Sequence, residues 1–432
     1  MVLTTPILSA RRVPDLVTRG ISAKKVQDAV APLLATEHGS VCFTATADGT
    51  PLMDDNGAQP MMPGSNMKLA TAFTALRVLG ADTTLTTEVD AAAKPDATGT
   101  VAGNVWFVGG GDPIIDTADY VQAGHYGPPP HTALESIADQ VVAAGVHHIT
   151  GGIVGDDTRY DEVRQVPSWP TRYLTERQIG PISALAVDDT LEKLPSAVAG
   201  AGPAVSAATM LTVLLRARGV VIDGAPAAGQ VPLLRTTLVT VASLPIRQII
   251  GEMLAFSDNN TAESILKEIG HKASGTGSSQ AGAAVVAGTL RAAGLSVAGF
   301  SSVDGSGLDR SDRTSCDLLQ AILVADGTGG AIYAGLAQPG QNGTLRGRFG
   351  GIPAARTQVR AKTGTLKDVT ALSGWVHTNH GNDVAFSFLL NTGGRAVGAS
   401  DLRLEEQLAA ALFTYPDTPD PATVSPTPAR AG

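Results

Sequence analysis

Ser65 and Lys68 stand three positions apart in the segment PGSNMK. If a helix begins there, the hydroxyl and the amine share one face and meet. A serine hydroxyl is a poor nucleophile until a base takes its proton, and a lysine held neutral does that. The positive end of a helix disfavours an ammonium, which eases loss of the Lys68 proton. Taken alone the pair is a weak pattern, because the same spacing recurs on solvated helix faces. Two further triplets add chemistry. Ser257-Asp258-Asn259 lies in LAFSDNNTAESILKEIG, ahead of a helix-like run, and Lys362-Thr363-Gly364 lies in VRAKTGTLKDVTALSGWV, within strand-like sequence. Together they add a second hydroxyl, a side-chain amide, and a fixed cation with a hydroxyl donor suited to a carboxylate.

Other chemistries find less support. The eight histidines include no H-E-x-x-H, and His147-His148 and His377/His380 fall in segments that read as surface, so no metal site is expected. No G-x-S-x-G elbow and no Walker lysine occurs. Asp112 in GGGDP reads as a structural turn residue. The net charge of −9 and pI near 5.4 argue against a general nucleic-acid binder and give no reason for adsorption to anionic lipid. No apolar run has the length of a membrane span, and MVLTTPILSARR lacks a basic stretch followed by a long apolar one. Cys42 and Cys316 allow at most one disulfide; two inert buried thiols are the simpler expectation.

Several elements must position these groups. Residues 22–36 read as a helix with Val26, Val30, Leu33 and Leu34 on one stripe. Ser40–Met53 reads as a hairpin around Asp48-Gly49. A second helix after Ser65 carries Met67, Ala70, Phe73, Leu76 and Leu79. Residues 357–363, 369–376 and 384–390 read as strands, followed by a helix with Leu404, Leu408 and Leu412. Between about 85 and 235 the pattern breaks into short strand-like pieces (104–108, 152–155), a helix from Thr132 to Ala144 and another closing at Gly219. This stretch reads as an insertion, and the tail from Pro416 as disordered.

The triplets S-x-x-K, S-D-N and K-T-G, in this order and context, match the penicillin-binding-protein and serine β-lactamase signature. The chain resembles the class C low-molecular-mass penicillin-binding proteins, the D-alanyl-D-alanine carboxypeptidase and endopeptidase family. The resemblance rests on PGSNMKLAT, VGGGDP, IVGDDTRYD, PISAL, SDNNTAE, VDGSGLDR, NGTLRGRF and AKTGTL, from about residue 40 to 395. It implies an α/β (α+β) fold with an antiparallel sheet between helices. The discontinuous penicillin-binding domain is expected over 1–84 and 236–415, with a smaller inserted domain over 85–235. A further domain that the family nests soon after the PISAL segment is expected to be missing or vestigial.

The resemblance implies roles as well. Ser65 attacks the carbonyl between two terminal D-alanines, Lys68 is its base, and Ser257, bonded between Lys68 and Lys362, relays a proton to the leaving amine. Asn259 binds a substrate amide, Lys362 and Thr363 take the terminal carboxylate, and the amides of Ser65 and Thr365 form the oxyanion hole. Gly364 belongs to the same binding strand. Ser306, Leu308 and Arg310 are expected to line the cleft, and Trp169 and Leu366 to touch the substrate side chain. Acidic and aromatic residues often follow the family's Trp-Pro pair; here Trp169-Pro170 precedes Thr171 and Arg172. No cofactor is implied. The expected partners are peptidoglycan stem peptides as substrate and β-lactams as inhibitors, with no nucleic acid and no integral membrane segment. The implied location is outside the cytoplasmic membrane, periplasmic or on the cell-wall side.

Two other readings share these residues. A β-lactamase of class A type needs a deacylating glutamate after S-D-N, and Glu263 and Glu268, both inside the adjoining helix, are poor candidates. A non-catalytic peptidoglycan-binding scaffold has no physical need to keep Ser65, Lys68, Ser257, Asn259 and Lys362 together.

Overall fold

The strands Ser40–Ala47 and Asp383–Asn391 lie side by side although they come from opposite ends of the chain, with Phe43 facing Phe388 across the pair. The computed structural model describes residues 14–124, 128–191 and 202–417. Around that central pairing the sheet runs Val359–Leu366, Val369–His377, Asp383–Asn391, Ser40–Ala47, Thr50–Asp55, antiparallel throughout. Successive side chains point to opposite faces of a strand, and here both faces are apolar. Ala371, Ala385 and Leu389 face a core built with the helices Met67–Ala75, Ile246–Phe256, Asn259–Ser274 and Cys316–Asp326. Their neighbours Leu372, Phe386, Phe388 and Leu390 face the terminal helices Pro14–Leu34 and Ala399–Ala410. A sheet dressed on both sides explains why these strands read as near-continuous apolar runs.

A second sheet runs Ala227–Ala228, Ile153–Asp156, Val105–Val108, Thr86–Ala91, Thr236–Ala242. Two of its junctions are parallel and two antiparallel. The helices Leu134–Ala143 and Pro203–Ala217 share its own apolar core. Thr236–Ala242, expected to open the returning part of the first domain, pairs antiparallel with Thr86–Ala91 of the second sheet. The chain thus leaves the second sheet beside the strand by which it entered it. The first helix also starts earlier than expected, at Pro14. The stretch 192–201 after the PISAL segment and the tail beyond 417 lie outside the described residues.

The expectation of two free thiols is corrected. Cys42 and Cys316 form a disulfide with Cα atoms 6.1 Å apart. The strand Ser40–Ala47 packs on the N-terminal turn of Cys316–Asp326, which brings the two fully buried sulfurs together. Among the described residues no helix is long and apolar enough to cross a membrane.

Candidate active site

Ser65 sits in a 3-10 turn, Gly64–Asn66, that runs directly into the helix Met67–Ala75. Gly64 takes φ +51°, a left-handed conformation that glycine adopts at little cost. Three residues on, Lys68 is fully buried. Its Nζ donates to Ser65 Oγ at 3.2 Å, to Asn259 Oδ1 at 2.7 Å and to the Ser306 carbonyl at 2.9 Å. Burial lowers its pKa to about 8, against the pull of Glu263, Asp304, Asp258 and Glu252, which favour the charged form. An amine with that pKa, in reach of a serine hydroxyl, can take the hydroxyl proton near neutral pH.

Ser257 occupies the junction between the helices Ile246–Phe256 and Asn259–Ser274 with φ +63°. A left-handed serine is uncommon and its strain is tolerated where the surroundings hold it. Asp258 caps the second helix by accepting the Thr261 N–H at 2.9 Å. Asn259 Nδ2 donates to the Gln178 carbonyl at 2.7 Å, which ties this helix start to the chain after Trp169. The third triplet lies on the edge strand Val359–Leu366. There Lys362 Nζ donates to Ser257 Oγ and to the Thr363 carbonyl, both at 2.8 Å. Burial, and then the Lys68 charge, lower the Lys362 pKa well below its ordinary value.

The strand is drawn tightly against the serine turn. A Cβ on Gly364 would stand 2.8 Å from the Pro63 carbonyl and 3.1 Å from the Ser65 nitrogen. A Cβ on Gly64 would lie 3.4 Å from the Thr365 nitrogen. The Ser65 and Thr365 amides are therefore neighbours, the arrangement an oxyanion hole requires.

All five residues expected to carry the chemistry are thus gathered around one cleft of about 1210 Å³, which Ser65, Ser257, Asn259, Thr363, Thr365, Leu366, Leu308 and Arg310 line. Four expectations are corrected. Lys68 donates to Asn259 and Ser306 rather than to Ser257, so Ser257 is bonded to Lys362 alone of the two lysines. Lys362 lies behind Ser257 and does not line the cleft; Thr363 does. Ser306 is buried and offers its carbonyl to Lys68 instead of a side chain to the cleft, because Glu263 draws in the Gly305 and Ser306 amides. Trp169 is 5% exposed, its indole N–H donates to Asp304 at 2.8 Å, and it stacks edge-on against Tyr173. Tyr173, Leu308 and Leu366 present the apolar cleft surface that Trp169 was expected to provide. Arg310 reaches the cleft but is held by two bonds to Asp368, at 2.7 and 2.9 Å.

Sequence reasoning missed Thr344, whose hydroxyl accepts from Thr363 Oγ1 at 2.8 Å on the cleft wall. The NGTLRGRF segment was the available signal. It also missed Asp304, which accepts the Gly307, Asp309 and Trp169 N–H groups. Burial and the Asp304 charge push the neighbouring Asp312 up to about 11, so it stays protonated. Glu268 is engaged by Arg159 and Tyr160 and faces no substrate space. Among the described residues there is no cluster of metal-ligating side chains.

The family profile described as D-Ala-D-Ala carboxypeptidase 3 (S13) matches residues 23–191 and 186–412. The chain belongs to this carboxypeptidase family. Among its relatives, a D-alanyl-D-alanine carboxypeptidase of an Actinomadura species is 28% identical over 464 residues, covering 89% of this chain and 82% of the relative. Carboxypeptidase DacB of Mycolicibacterium smegmatis is 27% identical over 398 residues, 88% of this chain and 82% of the relative. The crystal structure of penicillin binding protein 4 from Haemophilus influenzae superimposes with a TM-score of 0.73 at 21% identity, covering 89% of this chain and 99% of that one. A second structure of that Haemophilus protein holds a β-lactam (TM-score 0.66, 22% identity, 89% and 99% coverage). The mixed α/β architecture of this carboxypeptidase-family chain is that of the penicillin-binding fold.

Proposed function

We propose that the chain cleaves the terminal D-alanyl-D-alanine bond of peptidoglycan stem peptides through an acyl-enzyme on Ser65. It is a serine DD-peptidase, an enzyme of the carboxypeptidase type. The observation that carries the reading is the fully buried Lys68 amine within 3.2 Å of Ser65 Oγ. As the Ser65 oxygen adds to the scissile carbonyl, Lys68 takes its proton, and the Ser65 and Thr365 amides stabilise the oxyanion. Losing one such donor in an enzyme costs about 3 kcal/mol of barrier. The C–N bond then breaks as Ser257 gives its hydroxyl proton to the leaving amine and takes one from Lys362 Nζ, 2.8 Å away. Water attacks the ester, its proton passing back through Ser257 to Lys362, while Lys68 returns the first proton to Ser65 Oγ. Asn259 holds Lys68 and a substrate amide, and the Thr363 and Thr344 hydroxyls receive the terminal carboxylate.

Cross-link endopeptidase activity is part of the same proposal. β-Lactams acylate the same serine. We read residues 85–242 as an inserted unit and the remainder as the catalytic unit. The site of action lies outside the cytoplasmic membrane, where the substrate is. Mass spectrometry of a penicillin-treated sample, with products from cross-linked and uncross-linked muropeptides, tests the reading. A persistent adduct on Ser65 and release of D-alanine are expected; an adduct on another serine, or none, would defeat it.

A further inference from the structure

Glu263 lies one turn after Asn259 on the helix Asn259–Ser274, so the two side chains share a face. It is fully buried, yet it touches neither Ser65 nor the cleft. Its Oε1 accepts the Gly305 N–H at 3.0 Å and the Ser306 N–H at 2.8 Å. The carbonyls of those two residues turn the other way, onto the serine helix. Gly305 O accepts from Thr71 Oγ1 at 2.8 Å, and Ser306 O accepts from Lys68 Nζ at 2.9 Å. A closed ring results: Lys68 to Ser306, Ser306 and Gly305 to Glu263, Glu263 along its helix to Asn259, and Asn259 back to Lys68. The ring leaves the Lys68 amine little freedom except toward Ser65. The loop is pressed close: a Cβ on Gly307 would stand 1.8 Å from the Gly64 carbonyl, so the segment that Glu263 fastens also backs the serine turn.

We propose that Glu263 is a positioning residue for the Lys68 base, holding the Gly305–Ser306 segment so that the Ser306 carbonyl fixes the amine against Ser65. Its carboxyl acts on the same amine through its charge, being the first of the groups that favour the ammonium form of Lys68. Asp304 on the loop, Asp258 on the helix start and Glu252 on the preceding helix add to this in that order. Lys362 on the strand is the other cation nearby. Glu263 itself is raised to about 8, by burial first and then by the Asp304 charge, while Lys68 and the Ser306 N–H hold it down. Lys267 on the same helix feels its charge weakly and is bonded to Asp161. Glu263 and Lys68 therefore titrate in the same range and exert opposite effects on one another.

This inference rests on Lys68 being the base for acylation. The test follows the second-order rate of penicillin acylation against pH for the wild type, Glu263→Gln and Glu263→Ala, with folding checked by thermal melting. Gln keeps an acceptor oxygen for the two amides and removes the charge. Its acidic limb should therefore move to lower pH, because a charge that favours the Lys68 ammonium is gone. Ala also releases the loop, and its plateau rate should fall at least about tenfold, with thermal unfolding still cooperative. A Gln variant whose plateau rate falls tenfold or more, although its acceptor oxygen is kept, overturns the proposal, whether or not the Ala variant folds. A folded Ala variant with a plateau within about twofold of the wild type overturns it too. If the wild type forms no adduct on Ser65, the acyl-enzyme reading fails instead, and the two failures are told apart.

Discussion

Lys362 Nζ donates to Ser257 Oγ at 2.8 Å, joining residues 105 positions apart in the chain. The lysine is buried behind that serine, while the Thr363 and Thr344 hydroxyls face the cleft. On the proposed mechanism Lys362 acts on the substrate through Ser257. Lys362→Ala should lower kcat/KM at least roughly tenfold, the worth of one charge-assisted bond. The loss should be the same for a substrate with a free terminal carboxylate and for its amide. Thr363→Val should penalise the free acid more. Rates for both substrates with both variants check this; a loss confined to the acid in Lys362→Ala would return carboxylate recognition to the lysine.

The base at Lys68 predicts a pH profile. With its pKa lowered to about 8 by burial, the unprotonated amine accumulates as pH rises through that value. Acylation should climb on this limb and then level off. Lys68→Arg keeps a cation that does not deprotonate in proteins, and the acylation rate should drop about 10²-fold to 10⁴-fold. Stopped-flow measurement with a chromogenic β-lactam gives both results. A flat profile from pH 6 to 9 in the wild type would contradict the assignment.

Gly364 has no room for a side chain, since its Cβ would stand 2.8 Å from the Pro63 carbonyl and 3.1 Å from the Ser65 nitrogen. Gly364→Ala should push the strand off the serine turn and spread the Ser65 and Thr365 amides. An oxyanion donor is worth about 10² to 10³ in rate, so acylation should fall by about 10²-fold. Melting temperature should change far less than activity. Normal acylation in a folded variant would show that the two amides are not held by this contact.

The Cys42–Cys316 disulfide closes a loop with a sequence separation of 274 that takes in all of residues 85–242. Disulfides of long loops stabilise by about 2 to 4 kcal/mol, mainly by restricting the unfolded chain. The Cys42→Ala/Cys316→Ala pair should unfold at lower denaturant concentration than the oxidised wild type. Urea titrations of the two proteins check this, with the wild type's thiol count measured after unfolding without reductant. Two free thiols in that count would remove the bond.

The local signals for the nucleophile were complete in the chain: Ser65 and Lys68 are three apart, and helix periodicity sets such neighbours on one face. The strand-forming runs at 369–376 and 384–390 were likewise legible, because a strand with apolar residues on both faces announces itself by composition. The three triplets in order, with their flanking segments, were enough for the family. Packing decided which polar groups face the cleft. Nothing in the spacing distinguishes a Lys362 that meets the substrate from one behind Ser257, or a Trp169 on the rim from one bonded to Asp304. Those outcomes depend on contacts between segments 105 and 135 residues apart. The same holds for the Cys42–Cys316 pairing and for the strand Thr236–Ala242, claimed by the second sheet. Long-range burial and hydrogen bonding are set by the assembled fold, where each buried donor and acceptor must find a partner. A local pattern names the residue type needed; only the closed structure assigns each one its neighbour.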